Sequence, residues 1–223
     1  VVATAVGMSV HLTPDDDPVR LRPDLREPSG LRRSDGTSVY RHTGADHYTS
    51  RRILQAEQRL VDAAGLGSDF AFSPEEIDIV LAASTVGGVR HNDGQRALVH
   101  ALAGGGHRVK LALAPAGSGK TTAVEVLAAV WTTNGYDAIG LAPSAAAAKV
   151  LQDATGLPCE TLAKIDDEIA AQAPDNGRDR SGGLSTRIGP ETLVVIDEAG
   201  MADTLTLDRV VAFCLSRGAT VRL

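Results

Sequence analysis

Aromatic residues are scarce in this 223-residue chain, at 3% of the total. With a hydrophobic content of 43%, mostly aliphatic and alanine, that scarcity points to a helix-rich α/β core. Cysteine is scarcer still. Cys159 and Cys214 stand alone, without the spacing of a metal site or a disulfide framework, and read as buried thiols in a reducing, cytoplasmic setting. No apolar run reaches membrane-spanning length, and no amino-terminal signal-peptide pattern is present. The net charge of −6 gives no general attraction to nucleic acid. It argues against tight non-specific coating of DNA and leaves a local channel open. One large domain or two small ones fit this length.

Against these absences stands one local pattern rich in chemistry. An apolar, β-leaning stretch over 109–114 runs into Pro115-Ala116-Gly117-Ser118-Gly119-Lys120-Thr121-Thr122. A helical pattern follows, with apolar Val124, Leu127, Ala128 and Trp131 at i, i+3, i+4 and i+7. Strand, glycine-rich turn and helix in that order make a phosphate-binding P-loop, or Walker A motif. Backbone N–H groups of Ala116, Gly117, Ser118, Gly119, Lys120, Thr121 and Thr122 would surround phosphate oxygens, aided by the helix N-terminus. Lys120 would lie against the β- and γ-phosphates, and the Thr121 hydroxyl would help hold Mg²⁺. The strict pattern has glycine where this chain has Ala114, which an ordinary φ there would tolerate.

A second acidic element belongs with the first. Leu193-Val194-Val195-Ile196 is a continuous apolar run, as in a strand buried on both faces, and it delivers Asp197 and Glu198 at its end. Ligands of parallel α/β sheets bind at that carboxyl edge. Asp197 is the candidate for the Mg²⁺ shell, and Glu198 for the base that polarises attacking water. Upstream, Asn92 or Asp93 caps a helix that carries Gln95, whose amide could pair two ways with the edge of adenine.

Gln95, the P-loop, Gly140–Leu151, Thr161-Leu162 and Val195-Ile196-Asp197-Glu198-Ala199-Gly200-Met201 together resemble the first motor domain of superfamily 1B, RecD-like DNA helicases. Tyr48-Thr49, followed by Ile53–Leu60, and the Ala-Gly-Met after the acidic pair are similar to the helicase part of MobF-class (TraI/TrwC-type) conjugative relaxases of plasmids. The helicase resemblance covers about 91–223; the relaxase resemblance adds 36–90. It implies a RecA-like α/β fold, ATP and Mg²⁺ as cofactors, and ATP-driven movement along single-stranded DNA. It assigns adenine recognition to Gln95 and catalysis to Lys120 and Glu198. Metal binding falls to Thr121 and Asp197, and DNA-backbone contacts to Pro143, Ser144 and Thr161. The partners it implies are single-stranded DNA and the rest of a longer helicase or relaxase chain, acting as a monomer.

The resemblance also marks departures. The γ-phosphate-sensing segment and the second motor domain with its arginine finger would follow the strand over 219–223, so the chain is expected to be truncated and inactive alone. Its start at Val1 fits an excised piece. Tyr40, His42, His47 and Tyr48 lack the spacing of a nicking site's metal triad and read as polar loop residues. A different P-loop DNA-processing ATPase and a non-catalytic binding remnant are the alternatives.

Three stretches are expected. Residues 1–35 read as a connector or remnant of an upstream domain, with a β-like start over 1–12. Residues 36–90 read as a small helical segment. One helix there covers 49–64, with Ile53, Leu54, Leu60 and Val61 inward. Another is opened by the cap Ser73, Pro74 and Glu76 and runs to about Ala83. Residues 91–223 read as a RecA-like domain with strands at 109–114, 137–142, 192–196 and 219–223 and helices at 120–133, 144–154, 160–172 and 203–216. Gly135 and Gly156 mark helix ends. The polar stretch 173–190, with Arg178, Arg180 and Arg187, reads as a disordered insertion.

Overall fold

A computed structural model describes residues 9–12, 28–34, 47–84, 91–113, 119–172 and 183–223. The chain divides into two compact units, Val1–Gln55 and Ala56–Leu223. In the first, β1 (Val10–His11) pairs antiparallel with β2 (Tyr48–Thr49), and the Leu12 N–H donates to the His47 carbonyl at 2.7 Å. The remainder of the expected β-like start, residues 1–8, lies outside the described residues, as do Tyr40 and His42.

Helix α1 (Arg51–Ala64) begins two residues later than the pattern suggested. Thr49 is held in β2, and the Ser50 hydroxyl accepts the Ile53 N–H at 3.2 Å. Its most buried positions are Ala56 and Ala63, with Leu60 partly buried between them. Val61, expected inward, is 67% exposed. Ala56, Leu60 and Ala63 share one helical stripe, and Val61 stands about 100° past Leu60. Helix α2 (Pro74–Ala83) starts as expected. Ser73 accepts the Glu76 N–H at 3.3 Å, and the Glu76 carboxylate accepts the Ser73 N–H at 2.7 Å. Helix α3 (Asp93–Ala103) follows, and a two-residue ribbon joins β3 (Gly67–Ser68) to β4 (Gly106–His107).

From there strand and helix alternate: β5 (Val109–Lys110), α4 (Lys120–Thr133), β6 (Ala138–Ala142), α5 (Ala145–Thr155), β7 (Cys159–Thr161), α6 (Leu162–Ala171), β8 (Leu193–Ile196), α7 (Thr204–Ser216) and β9 (Thr220–Arg222). The five strands form one parallel sheet in the order β5-β9-β8-β6-β7. Every residue of β6 and β8 is buried, as continuous apolar strands require when helices cover both faces. This is the RecA-like P-loop α/β architecture that the alternation predicts. Two apolar clusters fill the core. Phe72, Leu127 and Trp131 belong to one, and Ile139, Ile165, Ile196 and Val211 to the other. Phe70, Phe72, Trp131 and Tyr136 concentrate most of the chain's few rings, with centroids 4.7–6.0 Å apart.

Two expectations change. The helix expected over 160–172 gives up its first residues to β7, which pairs Cys159, Glu160 and Thr161 with Gly140, Leu141 and Ala142. Close approach of these strands needs Gly140, since a Cβ there would collide with the Cys159 sulfur and Leu151. The stretch expected to be disordered is ordered where it is described. Leu184–Arg187 is a 3₁₀ turn, Ile188 is fully buried, and Arg187 pairs with Asp137 at 2.6 Å. Residues 173–182, including Arg178 and Arg180, lie outside the described residues. The strand expected over 109–114 is paired as β5 only at Val109–Lys110, although the Ala112 N–H still donates to the Leu223 carbonyl at 2.8 Å.

Candidate nucleotide-binding site

Of the loop, Ala114–Ser118 lies outside the described residues, and the expectations for Ala116, Gly117 and Ser118 with it. The description resumes at Gly119, which precedes α4 with φ +79° and ψ 28°. That left-handed conformation suits glycine, and a Cβ at this position would collide with the Gln95 side-chain amide. Gln95 and the end of the loop are therefore in direct apposition.

The start of α4 differs from the other described α-helices. Ser50, Ser73, Asn92, Ser144, Thr161 and Asp203 accept first-turn N–H groups of their helices, whereas α4 has no side-chain cap. Its first N–H groups and positive dipole end are left for another acceptor, the arrangement an anionic phosphate fits. Lys120 and Thr121, the first two residues of the helix, are exposed. Among the chain's four lysines, Lys149 pairs with Asp153, Lys164 with Glu160, and Lys110 donates to the Ala101, Gly104 and Gly105 carbonyls. The Lys120 ammonium has no such partner among the described residues.

Asp197 follows β8 directly. Its N–H donates to the Leu141 carbonyl at 2.9 Å, which extends the sheet ladder and fixes the residue at the carboxyl edge. The half-buried Asp197 carboxylate accepts the Glu198 N–H at 3.0 Å. Glu198 is exposed and left-handed, with φ 52° and ψ 35°, a conformation that costs a non-glycine residue about 1–2 kcal/mol. The 3₁₀ turn Ala199–Met201 holds it there, the Met201 N–H donating to the Glu198 carbonyl at 2.9 Å. Only β9 separates β5 from β8, so the loop and Asp197 leave strands about 10 Å apart, room for a phosphate chain and a hydrated cation. The donor set, an open helix N-terminus with an unpaired ammonium facing a carboxylate pair, fits a magnesium nucleotide.

Gln95 has a further role. Its Oε1 accepts the Asn92 N–H at 3.0 Å while the Asn92 side chain accepts the Gln95 N–H at 2.9 Å. In this arrangement its carbonyl is committed to the capping box, so only the NH₂ group is free to pair with a base. At the other end of α3, the Lys110 and Arg222 cations bind the helix's last carbonyls and those of its exit loop. Burial, and the neighbouring Arg222, lower the pKa of Lys110, and burial alone lowers Arg222 to about 10.

Ala142 lies opposite Thr161 in the β6–β7 register, so Pro143, Ser144 and Thr161 occupy the same carboxyl edge as Asp197. Both hydroxyls are engaged, however: Ser144 accepts the Ala147 N–H at 3.1 Å and Thr161 the Lys164 N–H at 3.2 Å. His91, which the sequence patterns did not single out, is buried beside the Asn92 cap.

A search of curated proteins finds no match. A family model described as an AAA domain matches residues 90–223, more than half of the chain and all of the sheet and helices that carry these residues. The chain belongs to the AAA domain family, whose P-loop ATPase fold binds nucleotide.

Proposed function

We propose that the second unit is the ATP-binding part of a DNA motor that couples MgATP hydrolysis to movement along single-stranded DNA. At the finer level, we place it in the helicase part of a conjugative relaxase. The observation that carries the reading is the meeting, at one sheet edge, of an uncapped helix N-terminus with the unpaired Lys120 and, one strand away, Asp197 and Glu198. The relaxase assignment rests on the resemblance of residues 48–60 alone.

In this reading the first N–H groups of α4 and the Lys120 ammonium hold the β- and γ-phosphates. Thr121 and Asp197 hold a Mg²⁺ ion, which when bound offsets phosphate charge. Glu198 orients the attacking water and accepts its proton. Its exposed, left-handed position aims a carboxylate away from the sheet, toward solvent. Backbone groups at Pro143, Ser144 and Thr161 touch the DNA backbone without reading sequence, as a sliding strand requires.

A different P-loop ATPase is the second reading, favoured by the engagement of the Ser144 and Thr161 hydroxyls in helix caps. Two measurements decide. ATP with Mg²⁺ should raise the melting temperature of the chain, and Lys120→Ala should abolish that rise; an unchanged rise sinks the nucleotide site. In a version extended by a second motor domain, single-stranded DNA should stimulate hydrolysis at least tenfold. Hydrolysis indifferent to DNA would favour the second reading.

A further inference from the structure

The His91 imidazole is an anomaly of this fold. The residue is 8% exposed, and its Nε2 is buried with no hydrogen-bond partner. Among the described residues it is the one buried side-chain nitrogen or oxygen so left. Buried polar atoms are nearly always satisfied, and an exception calls for a partner that arrives later. His91 sits immediately before Asn92, whose capping box with Gln95 fixes the first turn of α3, and Gln95 abuts Gly119.

We propose that His91 completes base recognition at the nucleotide site, its Nε2 accepting a hydrogen bond from the exocyclic amine of adenine. The proposal rests on the nucleotide-binding reading above. An adenine edge presents an amine donor beside a ring-nitrogen acceptor. Gln95, with its carbonyl held by the Asn92 N–H, has only its NH₂ group to offer, which suits the ring nitrogen. The amine then lacks an acceptor. A neutral imidazole with its proton on Nδ1 supplies one at Nε2, already desolvated and free of any protein partner that would have to be displaced. The two side chains are thus complementary halves of one contact.

The test uses the full chain and three ligands with Mg²⁺: ATP, purine riboside triphosphate, which lacks the amine, and tripolyphosphate, which lacks base and sugar. Wild type should bind ATP about 3- to 10-fold tighter than the amine-free analogue, the range for one hydrogen bond. His91→Leu should erase that preference and leave tripolyphosphate affinity unchanged. It should not lower the melting temperature of the ligand-free chain, because it removes an unsatisfied buried atom. His91→Gln, which retains an acceptor, should keep part of the preference and serves if His91→Leu does not fold. Equal affinity of wild type for ATP and the analogue overturns the proposal. So does a His91→Leu chain that keeps the preference, or one that loses tripolyphosphate as well. Failure of wild type to bind any of the three overturns the nucleotide site itself, which Lys120→Ala checks separately.

Discussion

At Gly119 two demands coincide: a left-handed backbone and an absent side chain where the Gln95 amide approaches. Either alone would tolerate some substitution; together they exclude one. Gly119→Ala should cost about 1–2 kcal/mol from the backbone alone, and more from displacing Gln95. The checks are a lower urea midpoint and loss of the ATP-dependent rise in melting temperature. Glu198 shows the opposite economy, a non-glycine residue in the same backbone region. Strain of this kind persists where the side chain is needed. Glu198→Gln should therefore keep ATP binding within about threefold, while DNA-stimulated hydrolysis in a two-domain version falls about 10²- to 10⁴-fold. The glycine was legible from the motif. The strain at Glu198 was not, because it arises from the 3₁₀ turn that follows β8.

Among the elements, those bounded by local chemistry were readable in advance. Ser73-Pro74-Glu75-Glu76 specifies the start of α2 through groups within three residues, and both reciprocal bonds are present. Ser73→Ala should destabilise the chain by about 1 kcal/mol, seen as a lower urea midpoint with an unchanged slope. Elements held by distant partners were not readable in the same way. β7 is three residues long, and its extended form comes from pairing with Gly140–Ala142. Neither a short run nor the composition of Cys-Glu-Thr announces that. The burial of Ile188 likewise depends on a core built from α6, α7 and the sheet, so a polar, glycine-rich neighbourhood misled. In α1 the two alanines lie deepest and Val61 faces solvent, because the distance to the sheet, rather than side-chain size, sets which stripe is covered.

For the whole molecule, burial of the two thiols links the sheet to pH. Burial is the main cause that raises the Cys159 pKa to about 11 and that of Cys214 to about 12, from 9.0. The native state therefore keeps both protons above the pH at which the unfolded chain releases them. Their contribution to stability is complete below pH 9 and is lost as pH rises through about 11 for Cys159. Urea midpoints should hold up to about pH 9 and fall between 9 and 11, and Cys159→Ala should show a shallower fall. The same burial predicts slow alkylation of both thiols at pH 8 in the native protein and fast alkylation in urea. The exposed Leu111 and Leu113, 61% and 87% accessible, are an apolar feature beside the edge strand β5, and charged replacements there should reduce self-association measured by light scattering.

Local sequence, through periodicity, caps and two short motifs, determined the parallel α/β class, the start of α4 at Lys120, and the delivery of Asp197 and Glu198 by a buried strand. Each of these depends on neighbours within a few residues, so the chain carries the information along its length. Tertiary structure decided what depends on residues distant in sequence. It put β9 between β5 and β8, committed the Gln95 carbonyl to a cap while pressing its amide on Gly119, and engaged the Ser144 and Thr161 hydroxyls. It also left His91 buried without a partner. The reason is physical: a hydrogen bond satisfied or left open is a property of the packed arrangement, and no pattern along the chain records it.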